Sequence, residues 1–176
     1  MNLTGLIKET KHQRHVNYLR HAYHIAWLHS EDPATKTGAA IIDETAGAIL
    51  VADANYYPPG RDPTPEQKAD RNYKLKNIFH AEKNCIIAAA RLGAGTNNQT
   101  MYMPWIPCEP CAALMAAAGI KRFVGHKAMI DKTPDDWGIS TYQGLALLRR
   151  EGIEALMYVG EIGGVDALFR KEHWRP

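Results

Sequence analysis

Two short motifs limit what this chain can become. His80-Ala81-Glu82 opens one helical segment, and Pro107-Cys108-Glu109-Pro110-Cys111 opens the next, with a strand predicted between them. The chain must therefore bring a histidine and two cysteines together from two helix starts. Nitrogen and sulfur ligands in that number suit a tetrahedral ion, and zinc is the ion that takes them most readily. The positive end of a helix favours thiolate over thiol. Pro107 and Pro110 are tolerated there because first-turn amides have no intrahelical partner.

His80, Cys108 and Cys111 are three ligands, and a catalytic zinc site keeps its fourth position open. Glu82 lies two residues after His80, about 200° around a helix, so it is not expected to be the fourth ligand. If its carboxylate turns toward the metal it can carry protons, as a general acid–base. A structural zinc site needs a fourth protein ligand. Cys85 is one candidate, but about 140° around the helix it is expected to face the core. His126 is another. A redox CxxC is a further alternative, which leaves His80 and Glu82 unexplained.

The rest of the chain supplies the frame. Val16 to His29 carries apolar residues at helical spacing (Val16, Leu19, Tyr23, Ala26, Trp27) and stops near Asp32-Pro33. Thr37–Ile42 and Ala48–Ala52 read as an antiparallel hairpin. A long polar stretch from Asn55 to Asn77 reads as a functional or mobile loop. Phe79–Leu92 and Cys108–Ala118 read as buried helices, the second ended by Gly119. Strands are predicted at Thr100–Met103, Arg122–Val124 and Leu156–Val159, with helices over Thr141–Arg150 and Val165–Lys171. The late alternation of strand and helix implies parallel crossovers and a sheet covered by helices. A single α/β domain over residues 1–176 is expected.

Composition sets the outer bounds. The chain has 176 residues, 45% hydrophobic and 23% charged, ordinary for a globular protein. No apolar run approaches the about 20 residues of a spanning helix. The N-terminus turns polar too early for a secretory signal, so a cytoplasmic protein is expected. The net charge of +2 is too balanced to point to a polynucleotide. Three cysteines, an odd number, argue against a disulfide framework.

HAEKNCI and PCEPCAALMAAAGIKRFV resemble the cytidine and deoxycytidylate deaminase superfamily, whose signature is HxE followed by PCxxC. DPATKTGAAIID resembles the family's first strand region. ANYYPPGRDPTPEQKADRNYKLKNIFHAE resembles the loop and catalytic helix of bacterial and phage deoxycytidylate deaminases. The resemblance covers roughly residues 26–124. It implies a three-layer αβα fold around a five-stranded mixed sheet. It also implies zinc on His80, Cys108 and Cys111, with Glu82 as proton shuttle in hydrolytic deamination. By the same resemblance Asn55 contacts the nucleotide, the Ala81 carbonyl accepts from the exocyclic amine, and the Cys108 amide helps hold the nucleophile. Tyr56 stands where the family commonly has glycine.

The expected substrate is a small cytosine nucleotide, dCMP or a 5-substituted dCMP. Another nucleoside, base or aminated heterocycle is the alternative, and a silent zinc-binding subunit is the alternative outside enzymes. Tyr56 and Trp105 are candidate substrate walls, Trp105 equally a core aromatic. One or two of Arg61, Lys68, Arg71, Lys74 and Lys76 would serve a phosphate, the rest being solvated. His21 and His24 read as packing or surface histidines, because no third ligand is near them in sequence. No membrane or polynucleotide partner is expected. A homo-oligomer, dimer or hexamer, is implied by the family.

Overall fold

The computed structural model describes residues 5–176. The first four residues of the polar N-terminal stretch lie outside them. A six-stranded mixed sheet forms the middle layer, in the order β1-β6-β5-β4-β2-β3. Its strands are β1 (Lys8–Thr10), β2 (Gly38–Asp43), β3 (Ala48–Ala54), β4 (Thr100–Tyr102), β5 (Arg122–His126) and β6 (Glu154–Tyr158). β2 pairs antiparallel with β3 and β4, whereas β4–β5, β5–β6 and β1–β6 are parallel.

Strand alternation divides the core in two. Ile41, Met101, Phe123 and Met157 face one side, where α4 (Ala81–Leu92), α5 (Glu109–Ala117) and α7 (Asp135–Arg150) pack. Their neighbours Ile42, Tyr102, Val124 and Tyr158 face the other, under α1 (Arg14–His29). On α1, Val16, Leu19, Tyr23 and Ala26 are buried as the spacing predicts. Trp27 is 37% exposed, beside Lys36 and His173.

Four expectations need correction. The sheet has six strands rather than five, because the polar Lys8–Thr10 segment adds a parallel edge to β6. The Asn55–Asn77 stretch is not all loop: it holds α2 (Pro65–Ala69) and α3 (Arg71–Asn77). A capping box of Thr64 with Gln67 starts α2, and the Asp70 carboxylate caps α3. The predicted helix over Val165–Lys171 is instead a hairpin, β7 (Ala167–Phe169) and β8 (Glu172–Trp174). The helices α4 and α5 are buried along one face only, with Ile87, Ala90, Ala113 and Ala117 exposed. In addition, α7 starts at Asp135, well before Thr141, and a short α6 (Lys127–Ile130) precedes it.

No helix among the described residues is long and apolar enough to cross a membrane.

Candidate active site

The helix starts converge as the motifs require. His80 is the N-cap of α4 and Cys108 the N-cap of α5, with Cys111 in the first turn of α5. His80 has extended backbone, φ −72° and ψ 155°, which turns its ring away from the helix and toward the cysteines. Its Nδ1 lies 3.4 Å from Cys108 Sγ and 3.5 Å from Cys111 Sγ. Two ligands at ordinary zinc–nitrogen and zinc–sulfur distances in a tetrahedron stand about 3.5 Å apart. Both histidine–cysteine separations therefore fit zinc, and the three ligand atoms all lie within 4.8 Å of one another.

Among the described residues this is the one group of three or more histidine, cysteine or acidic side chains able to hold a metal ion. The alternative fourth ligands are elsewhere. Cys85 is buried, its thiol donating to the Ala39 carbonyl at 3.1 Å. His126 Nδ1 lies 2.8 Å from the Tyr23 hydroxyl and Nε2 2.9 Å from the Gly160 carbonyl. His21 and His24 join no such group. Three ligands with a fourth position free is the pattern of a catalytic site.

Close packing sets the cysteine loop. Gly144 of α7 lies so near it that a Cβ there would stand 2.3 Å from the Pro107 carbonyl oxygen. Only glycine lets α7 approach that closely.

Electrostatics separate the titratable groups. Cys108 ionises first: the hydrogen bond from Cys111 holds its thiol down at about 4, against burial and with help from His80. Cys111, donating that bond, is pushed up. Burial works against a charged His80, but Cys108 and Glu82 raise it to about 9. Glu82 is 3% exposed, and burial pushes its carboxyl up to about 6 although the nearby His80 opposes this.

A cavity of about 590 Å³ opens over these groups, with His80, Glu82 and Cys108 among its walls. Asn55, Met103, Trp105, Ile106, Trp137 and Phe169 also face it. Trp105 donates from Nε1 to Thr133 Oγ1 at 2.8 Å and meets Trp137 and Phe169 edge-on. Trp137 lies 6.0 Å from the His80 ring. Asn55 is held on several sides: its Oδ1 accepts from Ser30 Oγ and the Thr37 amide, and its Nδ2 donates to the Thr35 carbonyl. An amide nitrogen has two hydrogens, so one is left for a ligand.

Tyr56 is not brought to the cavity. Its hydroxyl donates to Asp53 Oδ2 at 3.1 Å, and burial together with Asp53 pushes its pKa up to about 12. Its backbone bridges to Phe79, the residue before His80. The Tyr56 side chain fastens the end of β3 through Asp53. Ala81 is fully buried in the first turn of α4, between His80 and Glu82.

Of the five candidate cations, Lys68, Arg71 and Lys74 line the cavity, joined by Arg170 and Lys171. Arg61 instead donates to Asn77. Trp137, Phe169, Arg170 and Lys171 were not legible as site residues. The Pro134-Asp135-Asp136 run, a helix-start signature, could have placed Trp137 in a first turn.

A model of the cytidine and deoxycytidylate deaminase zinc-binding region matches residues 12–127. The deoxycytidylate deaminase of Enterobacteria phage T4 is 36% identical over 88 residues, 50% of this chain and 42% of that protein. The deoxycytidylate deaminase of Mus musculus is 32% identical over 102 residues, 54% of each. The chain spans about half the length of the curated relatives it matches. Among solved structures, the dCMP deaminase of cyanophage S-TIM5 in complex with dCMP and dUMP superposes with a TM-score of 0.64 at 20% identity. That match covers 84% of this chain and 98% of the other. The family model reaches from ahead of α1 to the end of β5, taking in both motifs and the strands between, and on that match the chain belongs to the cytidine and deoxycytidylate deaminase family.

Proposed function

We propose that the chain hydrolyses dCMP to dUMP and ammonia. One observation carries the reading: a buried carboxylate, Glu82, stands beside a three-ligand zinc site inside a cavity with a cationic mouth. The phage and mammalian relatives are named deoxycytidylate deaminases, which supports the same substrate.

His80, Cys108 and Cys111 would hold zinc, which when bound supplies Lewis-acid activation of water. The protein's own residues do the rest. Glu82 takes a proton from the hydrolytic water and gives it to the ring nitrogen, then takes the remaining proton from the hydroxyl now on C4 and delivers it to the departing amine. The bond from C4 to oxygen forms and the bond from C4 to nitrogen breaks. A carboxyl lifted to about 6 by burial is suited to both giving and taking protons near neutral pH. The Ala81 carbonyl accepts from the exocyclic amine, the Cys108 amide steadies the incoming oxygen, and Asn55 offers its spare N–H to the nucleotide. Trp105 and Trp137 form the apolar walls for the base.

The charge at the mouth supports a phosphate. Lys74 is paired with Asp32, and Arg71 and Arg170 share the single negative charge of Asp136, which leaves that cluster one positive charge in excess. Lys68 and Lys171 carry no ion pair among the described residues, so two unpaired ammonium groups, beside the excess charge of the arginine pair, are available to a phosphate dianion.

A chromatographic assay of the zinc-loaded protein tests this with dCMP, 5-methyl-dCMP, CMP, deoxycytidine and guanine in parallel. The reading expects dCMP to give dUMP with the highest kcat/KM. It also expects Lys68→Ala with Lys171→Ala to raise KM for dCMP and leave KM for deoxycytidine unchanged. Turnover of another substrate in preference to dCMP would overturn it.

A further inference from the structure

Three segments far apart in the chain meet on one carboxylate at the cavity mouth. Asp136, in the first turn of α7, accepts from Arg71 of α3 at 2.5 Å. It also accepts from Arg170 of the β7–β8 turn, at 2.7 Å and 2.6 Å on its two oxygens. The two arginines are among the residues that line the cavity, and Asp136 is not. The next residue in the chain is Trp137, which lies 6.0 Å from the His80 ring and 5.5 Å from that of Trp105.

A lone exposed ion pair does little. Two features set this one apart. It is a network of two guanidiniums on one carboxylate, joining three elements, two of which, α7 and β7, also meet through Trp105, edge-on to both Trp137 and Phe169. The turn that delivers Arg170 is also built against conformational preference. Arg170 and Lys171 are the two central residues of a two-residue hairpin, at φ 51° and φ 69°. That left-handed region is where Asn and Gly are favoured. Both backbone amides are tied down, Arg170 to Thr35 Oγ1 at 3.2 Å and Lys171 to the Ala34 carbonyl at 2.8 Å. The surroundings therefore fix the aim of the Arg170 side chain.

We propose that Asp136 is a positioning residue. By holding Arg71 and Arg170 it fixes the first turn of α7, and with it Trp137, as the outer wall of the cavity beside His80. The assignment rests on reading this cavity as the dCMP site. Asp136 itself touches none of the reacting groups.

Two measurements on the zinc-loaded protein test this. One is hydrogen exchange of the backbone amides of residues 139–142; the other is steady-state kinetics on dCMP. Both are run on the unmodified protein, Asp136→Asn, Asp136→Glu, the Arg71→Ala/Arg170→Ala pair and the triple variant. In Asp136→Asn and in the arginine pair, exchange should quicken and KM for dCMP should rise, each on the order of tenfold, with kcat changed less than about threefold. Asp136→Glu should restore most of both, and Asp136→Asn should add little to the arginine pair. Unchanged exchange in Asp136→Asn overturns the proposal. So does a KM that stays level or falls, or an Asp136→Asn effect that adds in full to the arginine pair. Absence of dCMP turnover in the unmodified protein would bring down the substrate reading instead, and the exchange data would still decide whether Asp136 holds α7.

Discussion

Lys74 Nζ lies 2.9 Å from Asp32 Oδ1, and the two side chains are only 14% and 6% exposed at the cavity wall. The same carboxylate oxygen accepts from the backbone amides of Ala34 and Thr35. Thr35 in turn receives the Asn55 side chain. The pair is therefore part of the frame that holds Asn55. Lys74→Met leaves Asp32 buried with its two amide donors but no countercharge. Breaking such a pair from one side should cost about 2–4 kcal/mol, less than a wholly uncompensated charge because the amides remain. Thermal unfolding should show a Tm lower by roughly 5–10 °C. Lys68→Met and Lys171→Met should leave Tm almost unchanged.

Asn84 makes a second frame contact, donating to the Ala54 carbonyl at 2.8 Å from the turn of α4 that follows Glu82. Ala54 precedes Asn55, so this bond fixes the catalytic helix relative to the nucleotide-facing end of β3. Asn84→Ala leaves a buried carbonyl without that donor and should destabilise by about 1–3 kcal/mol. Urea denaturation measures the loss. In the dCMP assay kcat/KM should fall with it, because both site elements shift.

Gly144→Ala separates packing from helix propensity. In an exposed helix the change would stabilise by about 1 kcal/mol. Here the added Cβ would meet the Pro107 carbonyl at 2.3 Å, so α7 or the cysteine loop must move. Overpacking of this kind costs about 1–3 kcal/mol. The variant should melt lower and release zinc to a chelator faster than the unmodified protein. A stabilised variant with normal zinc retention would show that the loop yields freely.

The site was legible where chemistry requires particular residue types at fixed spacing. His80, Glu82, Cys108 and Cys111 could be picked from the motifs, and Cys85 could be set aside by helix geometry. Residues that reach the site only through tertiary folding left no such pattern. Arg170 and Lys171 form their turn without the Asn-Gly signal of a two-residue hairpin, so Val165–Lys171 resembled a helix. Lys8–Thr10 is too short and polar to read as a strand, and gains its place by pairing with β6. The Thr64-Pro65-Glu66-Gln67 cap was present but hidden among prolines. Sequence proximity of Tyr56 to Asn55 does not say which way successive side chains point, and here the Tyr56 hydroxyl turns to Asp53.

Burial of neutral histidine predicts acid lability. His15 is buried, and its Nδ1 lies 2.9 Å from the Tyr102 hydroxyl. Burial, with Arg14, His12 and Arg122 adding to it and Glu44 opposing, lowers its pKa to about 4. Burial lowers His126 in the same direction. A folded-state pKa below the ordinary 6.5 means the unfolded chain binds protons more readily. Stability contributed by neutral His15 is therefore complete above pH 6.5 and declines as pH falls toward about 4. Tm of the zinc-loaded protein should drop across that window. His15→Phe should reduce the slope, whatever its effect on Tm at neutral pH.

The most direct test of the central claim compares dCMP conversion by the zinc-loaded protein and by Glu82→Gln at matched zinc content. The substitution keeps the size of the side chain and removes its proton chemistry, while His80, Cys108 and Cys111 are untouched. The account predicts one zinc per chain in both proteins, dUMP formed by the first, and turnover lower by about 10²–10⁴-fold in the second. Conversion at an undiminished rate by Glu82→Gln would contradict the assignment of proton transfer to Glu82.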